Sequence, residues 1–271
     1  MYTIRASSLS AYNDCMRRGA ARAFRKLIAS KGFKLREFES ARIGAAIGTG
    51  VHSGAAHVMN NKKDTGELGK IDDMINISAD SFRKKIVHGV DYDGTTRNVN
   101  EADLQIGSIS RMYYNLIAPK IEPIRIEKEL PAKVSKDFEL IGHPDCIAKD
   151  GIHDLKSGVK CYSYHAQMGA YRILARSNYI RGSDLGLRIV WIPRTKINSK
   201  RIIAQKPPQV IPYNPLGAEN MAYSQLTLIM NQVREFENAG DPEAFPANPM
   251  SNLCSAKWCT ALGTEFCGIT K

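Results

Sequence analysis

A chain of 271 residues, 43% hydrophobic and 24% charged, has the balance of a soluble globular protein able to bury a sizeable core as one elaborated domain. No apolar run approaches the roughly 18 residues of a membrane span, and the opening Met-Tyr-Thr-Ile-Arg lacks a signal-peptide apolar segment, so a cytoplasmic protein with no membrane partner is expected. The formal net charge of +11 favours a polyanionic partner, nucleic acid before membrane, and six cysteines without a secretory signal argue against a disulfide framework.

Ser7 and Ser8 are N-cap candidates for a helix carrying Leu9, Tyr12, Met16, Ala20 and Leu27 at helical spacing, with Cys15 inside it. Arg17, Arg18, Arg22, Arg25 and Lys26 load the rest of its surface, as a solvated face or a phosphate-contacting one. Residues 43–59 predict a small-residue helix through Gly48-Thr-Gly50-Val-His52, able to pack close to its neighbours. His52 and His57 stand about 140° apart round it and cannot share a site. Residues 60–100 read as a polar, variable excursion with a helix over 71–87 and a turn at Asp91-Tyr-Asp-Gly. Gly94 comes too early for a calcium loop, so Asp91 and Asp93 belong to the turn. A helix over 101–117 follows, then a strand over 124–130 carrying Glu127 and Glu129.

The stretch from Leu140 to Lys156 predicts a β-hairpin closed by Asp150-Gly151, a pair that tolerates the positive φ of a two-residue turn. Ala148 then faces His153, Ile147 faces Asp154, and Asp145 faces Lys156. Asp145, Ile147, Asp154 and Lys156 point one way, and Cys146, Ala148 and Leu155 the other. Such a face suits either a cross-strand ion pair or a divalent cation between the two carboxylates with the ammonium beside it. A one-residue slip would turn one strand's residues over.

A helix over 164–177 places Gln167 and Tyr171 on one face, at i and i+4. Strands over 187–191 and 201–212 and a helix over 218–238 follow, the last with a core stripe of Ala222, Leu226, Ile229, Val233 and Phe236. Asp-Pro, Phe-Pro and Asn-Pro pairs then keep the chain extended into a tail holding Cys254, Cys259 and Cys267. Cys146 and Cys161 read as small core or near-surface residues.

In the order Gly48-x-x-x-His52, Gly142-x-Pro144-Asp145, Asp154-x-Lys156 and Gln167-x-x-x-Tyr171, the chain resembles the RecB-type branch of the PD-(D/E)xK nucleases. The opening Ser8-Leu-Ser-Ala-Tyr12-Asn-Asp-Cys15, with the three late cysteines, is similar to its iron–sulfur-containing members of the AddB type and the CRISPR adaptation type. The resemblance covers most of the chain, least in 60–100. It implies a restriction-endonuclease-like α/β (α+β) core: a central mixed sheet flanked by helices, an N-terminal helical region and a Cys-rich tail. One domain spans residues 1–271, with 60–100 as an insertion and Cys15 plus 254–267 as a cluster-binding staple.

Residue by residue, the resemblance implies that His52, Asp145, Asp154 and the Leu155 carbonyl hold Mg²⁺ or Mn²⁺. Lys156 orients the attacking water and stabilises the scissile phosphate, Gln167 and Tyr171 line the site, and Glu127 supports it from behind. Cys15, Cys254, Cys259 and Cys267 hold an iron–sulfur cluster of the 4Fe-4S type, with Zn²⁺ as the alternative. The spacings of four and seven residues in the tail, and Met16 where the family usually has Pro, depart from the pattern. The implied activity is a DNA exonuclease of recombination or repair, in a bacterial cell or encoded by a phage. With no helicase motif present, a helicase or a single-strand annealing or binding protein would be its partner. The alternatives are a structure- or site-specific endonuclease and a non-catalytic iron–sulfur module that binds nucleic acid.

Overall fold

The computed structural model describes residues 1–38, 40–180, 186–198 and 204–269. The chain opens with strand β1 (Tyr2–Arg5), a 3-10 turn at Ala6–Ser8 and three short helices, α1 (Leu9–Asp14), α2 (Met16–Ala23) and α3 (Arg25–Ser30). A single helix was the expectation, with Cys15 inside it. Instead Cys15 is extended (φ −155, ψ 113) and Phe24 leaves helical geometry (φ −121, ψ 37), so Cys15 sits at the joint between two helices. Leu9, Tyr12, Ala20 and Ile28 are buried across both breaks, so the apolar spacing marks the buried face but not the interruptions. The Ser8 hydroxyl does not cap α1; it donates back to the Arg5 carbonyl at 2.7 Å.

A two-residue strand β2 (Ala41–Arg42) leads into α4 (Ile43–Thr65), followed by α5 (Ile71–Lys85), β3 (Val90–Asp91) and α6 (Val99–Leu116). Within the 60–100 stretch, Met74 and Phe82 of α5 are fully buried. A Cβ on Gly54 of α4 would stand 2.5 Å from the Met74 carbonyl oxygen, so the small residues of α4 are what admits α5. Asp93 does open a turn, accepting from the Thr95 and Thr96 N–H groups and from Arg194 at 2.6 Å, whereas Asp91, expected in the turn, ends β3 and pairs with Arg42.

The predicted strand over 124–130 is divided between β4 (Pro123–Ile126) and β5 (Leu130–Lys133), which belong to different sheets. The break falls at Glu127, whose φ of +42 no strand residue adopts. After them come β6 (Phe138–Gly142), β7 (Cys146–Ala148), β8 (Gly151–Lys156), α7 (His165–Ser177), β9 (Leu187–Trp191), β10 (Gln209–Tyr213) and α8 (Pro215–Ala239). Residues 201–203 of the predicted 201–212 strand lie outside the described residues. No helix among the described residues is long and apolar enough to cross a membrane.

A mixed five-stranded sheet in the order β10-β9-β8-β7-β4 forms the centre, with β8 and β9 parallel and the other neighbours antiparallel. Ile147, Ile152, Leu187 and Ile189 join the core under α7 and α8, whereas Cys146, Ala148, Leu155 and Val190 join the core under α4, α5 and α6. Covered on both sides, β8 is buried from Gly151 to Leu155, its polar His153 and Asp154 included. A three-stranded sheet, β1-β6-β5, extends the first core.

The β7–β8 hairpin pairs Cys146 with His153, Ile147 with Ile152 and Ala148 with Gly151. The turn is therefore Lys149-Asp150, displaced by two partners from the predicted Asp150-Gly151. Gly151 is needed for another reason: at φ +136 it lies against the Gly186 backbone, where a Cβ would collide with the carbonyl oxygen. Within the paired strands the faces are nonetheless those predicted, because a displacement by two conserves parity; Asp145, one residue before β7, instead lines a cleft with Leu155 and α4.

Helices α7 and α8 meet through Gly169, whose added Cβ would fall inside contact distance of the Ala218 carbonyl and the Glu219 nitrogen. Alanine gains up to about 1 kcal/mol of helix propensity over glycine, but a collision with backbone cannot relax locally. Gly169→Ala is expected to destabilise the protein by about 1–3 kcal/mol in chemical denaturation.

Candidate metal centre

The site begins where two strands part. β7 starts at Cys146, opposite His153, so Leu155 lies beyond its partner strand while Asp154 and Lys156 continue beside β9. The freed Leu155 N–H donates to Asp145 Oδ2 at 2.6 Å, so the carboxylate stands in for the missing strand. Its other oxygen, Oδ1, lies 3.0 Å from Nδ1 of His52, brought in by α4. Glu127 completes the group. Its left-handed backbone turns the chain away from β4, and its N–H bonds to the Asp145 carbonyl at 3.2 Å.

Ligand atoms of His52, Glu127 and Asp145 all lie within 4.8 Å of one another. One imidazole nitrogen and two carboxylates form a donor set that fits a divalent cation. They line a cleft of about 220 Å³ with Tyr113, Met59 and Leu155. Glu127, expected only as a supporting acid, is thus a member of the group. Asp154 is not in it: it is 1% exposed and paired instead with Lys156, Nζ to Oδ2 at 2.6 Å. Its Oδ1 accepts from Gln167 Nε2 at 3.3 Å, and the same Nε2 donates to the Tyr171 hydroxyl at 3.0 Å. Gln167 and Tyr171 therefore share a face and a bond. His57 is exposed, away from the site.

The electrostatics are those of a site short of positive charge. Burial opposes a charged His52, but the Asp145 charge and hydrogen bond outweigh it and raise the imidazole's pKa. Burial also works against the Asp145 carboxylate, yet His52, Lys156 and the Leu155 amide hold it low. Glu127 is raised by burial and by Asp145. Asp154 is pushed up to about 6 by burial, against the pull of Lys156. Burial disfavours the Lys156 ammonium, but the two aspartates raise its pKa and keep it protonated. Three carboxylates thus face one permanent cation, an excess that a divalent ion relieves.

Tyr164, just before α7, was missed: Lys156 Nζ lies 4.9 Å from its ring centroid. A tyrosine in a loop carries no periodic signal that would single it out.

A second cleft, of about 280 Å³, is lined by Cys15, Cys254, Cys259 and Cys267 together with Arg17 and Asn248. The Asn248 N–H points at Cys15 Sγ, 3.4 Å away. Arg17, 3% exposed, donates to the Phe245, Cys267 and Pro242 carbonyls. All four thiols are free. Burial raises Cys259 and Cys267, with Arg17 opposing at the latter. Cys146 is a core residue pushed up to about 12 by burial, and Cys161 is half-buried.

No protein-family model matches the chain. No curated protein matches it either. Among solved structures, a candidate exonuclease from Eubacterium rectale superposes with a TM-score of 0.55 at 14% identity, over 93% of this chain and 87% of that one. At such identity the likeness establishes a fold, a nuclease-like α+β one, and no more. SSO0001 aligns over 75% of this chain and 83% of that one at 12% identity, but its TM-score of 0.25 carries no argument.

The His52–Asp145 pair has a defined pH window in metal-free protein. The raised His52 contributes stability that is complete below about 6.5 and is lost as pH rises through its folded value. The lowered Asp145 contributes above about 3.9 and loses this as pH falls through its own. The stability difference between wild type and His52→Gln in EDTA is expected to be largest between about pH 4 and 6.5 and to close on the alkaline side. Denaturant midpoints across pH measure it, and a difference that grows towards pH 9 contradicts the assignment.

Proposed function

We propose that this chain is a divalent-metal-dependent deoxyribonuclease that hydrolyses DNA from its ends, of the recombination and repair type, on the RecB-type PD-(D/E)xK plan. The observation that carries the reading is the meeting of His52, Glu127 and Asp145 as a donor set beside a lysine held by a buried aspartate. His52, Glu127, Asp145 and the Leu155 carbonyl would hold Mg²⁺ or Mn²⁺, with Asp154 adjoining. When bound, such an ion acidifies a water and neutralises charge on the phosphate.

The residues themselves supply positioning. Lys156, fixed between Asp154 and the Tyr164 ring, offers a permanent ammonium to a phosphate oxygen or to the attacking water. Asp154 keeps that ammonium in place, and Gln167 keeps Asp154 in place. Water adds to phosphorus, one P–O ester bond breaks, and the departing oxygen takes a proton. The net charge of +11 suits a DNA substrate.

Cys15, Cys254, Cys259 and Cys267 line one cleft, and the resemblance of these four positions to the iron–sulfur-containing branch favours a cluster there over zinc. A cubane bridging Cys15 to Cys254, Cys259 and Cys267 would brace the N-terminal helices against the tail.

Asp154→Asn is expected to lower Mg²⁺-dependent cleavage of end-labelled linear DNA by at least about a hundredfold while leaving DNA binding in EDTA unchanged. Cleavage at the wild-type rate removes the assignment. Covalently closed circles should resist digestion, and their linearisation moves the reading to an endonuclease. Cys259→Ala, purified anaerobically, is expected to lose iron, sulfide and the brown chromophore and to melt at lower temperature; unchanged metal content and melting sink the cluster.

A further inference from the structure

Two half-exposed aromatic rings, 50% and 43% exposed, share the Arg42 side chain at the surface: Phe38, just before β2, and Trp258, beside Cys259. The Arg42 guanidinium lies 5.3 Å from both centroids and is itself tied to the Asp91 carboxylate and the Lys257 carbonyl. Arg42 is therefore consumed in fixing the rings, each of which keeps much of its surface in solvent. Lys257 Nζ lies 5.5 Å from the Trp258 ring. The segment bearing Phe38 is docked on the tail by the Arg36 N–H to the Thr260 carbonyl at 2.9 Å, and its Lys34 and Arg36 are exposed.

We propose that Phe38 and Trp258 form a stacking platform for the bases of single-stranded DNA, with Lys257, Lys34 and Arg36 as its phosphate contacts. The two rings are anchored through Arg42 yet keep about half their surface in solvent, and base stacking uses such exposed ring surface and is indifferent to sequence. Flanking cations supply the attraction to the backbone, and they separate this occupant from an apolar peptide.

The platform is linked to the metal centre through α4. Arg42 immediately precedes this helix and His52 lies ten residues along it, about 15 Å at the helical rise. Between them Ala45, Gly48 and Thr49 lie on the His52 side at three- and four-residue spacings. Their short side chains leave a low track over which a strand held at the platform can reach the metal ligands. The identity of the polyanion rests on the nuclease reading; the platform itself is tested without cleavage.

The experiment measures binding of fluorescein-labelled oligo(dT) and of a blunt duplex in EDTA, at fixed salt. Phe38→Ala and Trp258→Ala are each expected to weaken oligo(dT) binding by between about fivefold and a hundredfold, with duplex binding unchanged. Trp258→Phe should keep most of the affinity while losing the quenching of intrinsic fluorescence that oligo(dT) causes in wild type. Because Trp258 adjoins Cys259, melting temperature and iron content are followed in parallel, and Phe38→Ala, which removes no neighbour of a thiol, stands as the second variant. Unchanged oligo(dT) affinity in both alanine variants overturns the platform, as does an equal loss on duplex. Absence of Mg²⁺-dependent cleavage in a wild type whose fluorescence oligo(dT) still quenches defeats the nuclease reading and leaves the platform standing.

Discussion

A single backbone amide without a strand partner governs the site. Where β7 and β8 diverge, the Leu155 N–H would be left unpaired in a buried sheet, at a cost of roughly 1–3 kcal/mol, and Asp145 Oδ2 takes it at 2.6 Å. That bond fixes the carboxylate at the mouth of the fork. His52 reaches it from α4 and Glu127 from the end of β4, so three elements distant in sequence converge on a side chain positioned by the sheet's own hydrogen bonding.

The same fork explains the division of labour among the acids. Asp145 and Glu127 lie at the opening, where a cation and solvent have access. Asp154 lies one residue before the fork, in the paired and buried part of β8, where only a neighbouring ammonium makes a carboxylate tolerable. Lys156 is correspondingly held from two sides, by a carboxylate and by an aromatic face. A long side chain held in this way loses the freedom to wander.

Much of the site was readable in the residues because its determinants are periodic. Asp154 and Lys156 share a face in any register of the right parity, and the hairpin turn missed by two partners, a displacement that leaves faces intact, while Asp145 lies just outside the paired strand and reaches the site by its bond to the Leu155 amide. Gln167 and Tyr171 are joined by the helical repeat. What escaped has no period. The break at Cys15 and the left-handed Glu127 are backbone departures at residues whose side chains give no warning. The division of 124–130 between two sheets follows from the second of these. Asp150-Gly151 looked like turn chemistry, yet the glycine serves a close approach by Gly186, 35 residues further along the chain. Local composition cannot announce a demand made by a distant backbone.

The arginine that holds the tail has a kinetic side. Arg17 and the Cys267 carbonyl it grips are separated by 250 positions, and Tyr2 donates to Glu237 across 235. Contacts of such span form last, because closing so large a loop costs entropy before any packing repays it. On a ribosome, the first three helices emerge long before α8 and the cysteine tail exist to cover them. Their apolar faces, Leu9, Tyr12 and Ile28 among them, wait exposed until α8 and the tail have been made. Until α8 and the cysteine tail follow, the first three helices carry an uncovered apolar face of the kind that chaperones bind.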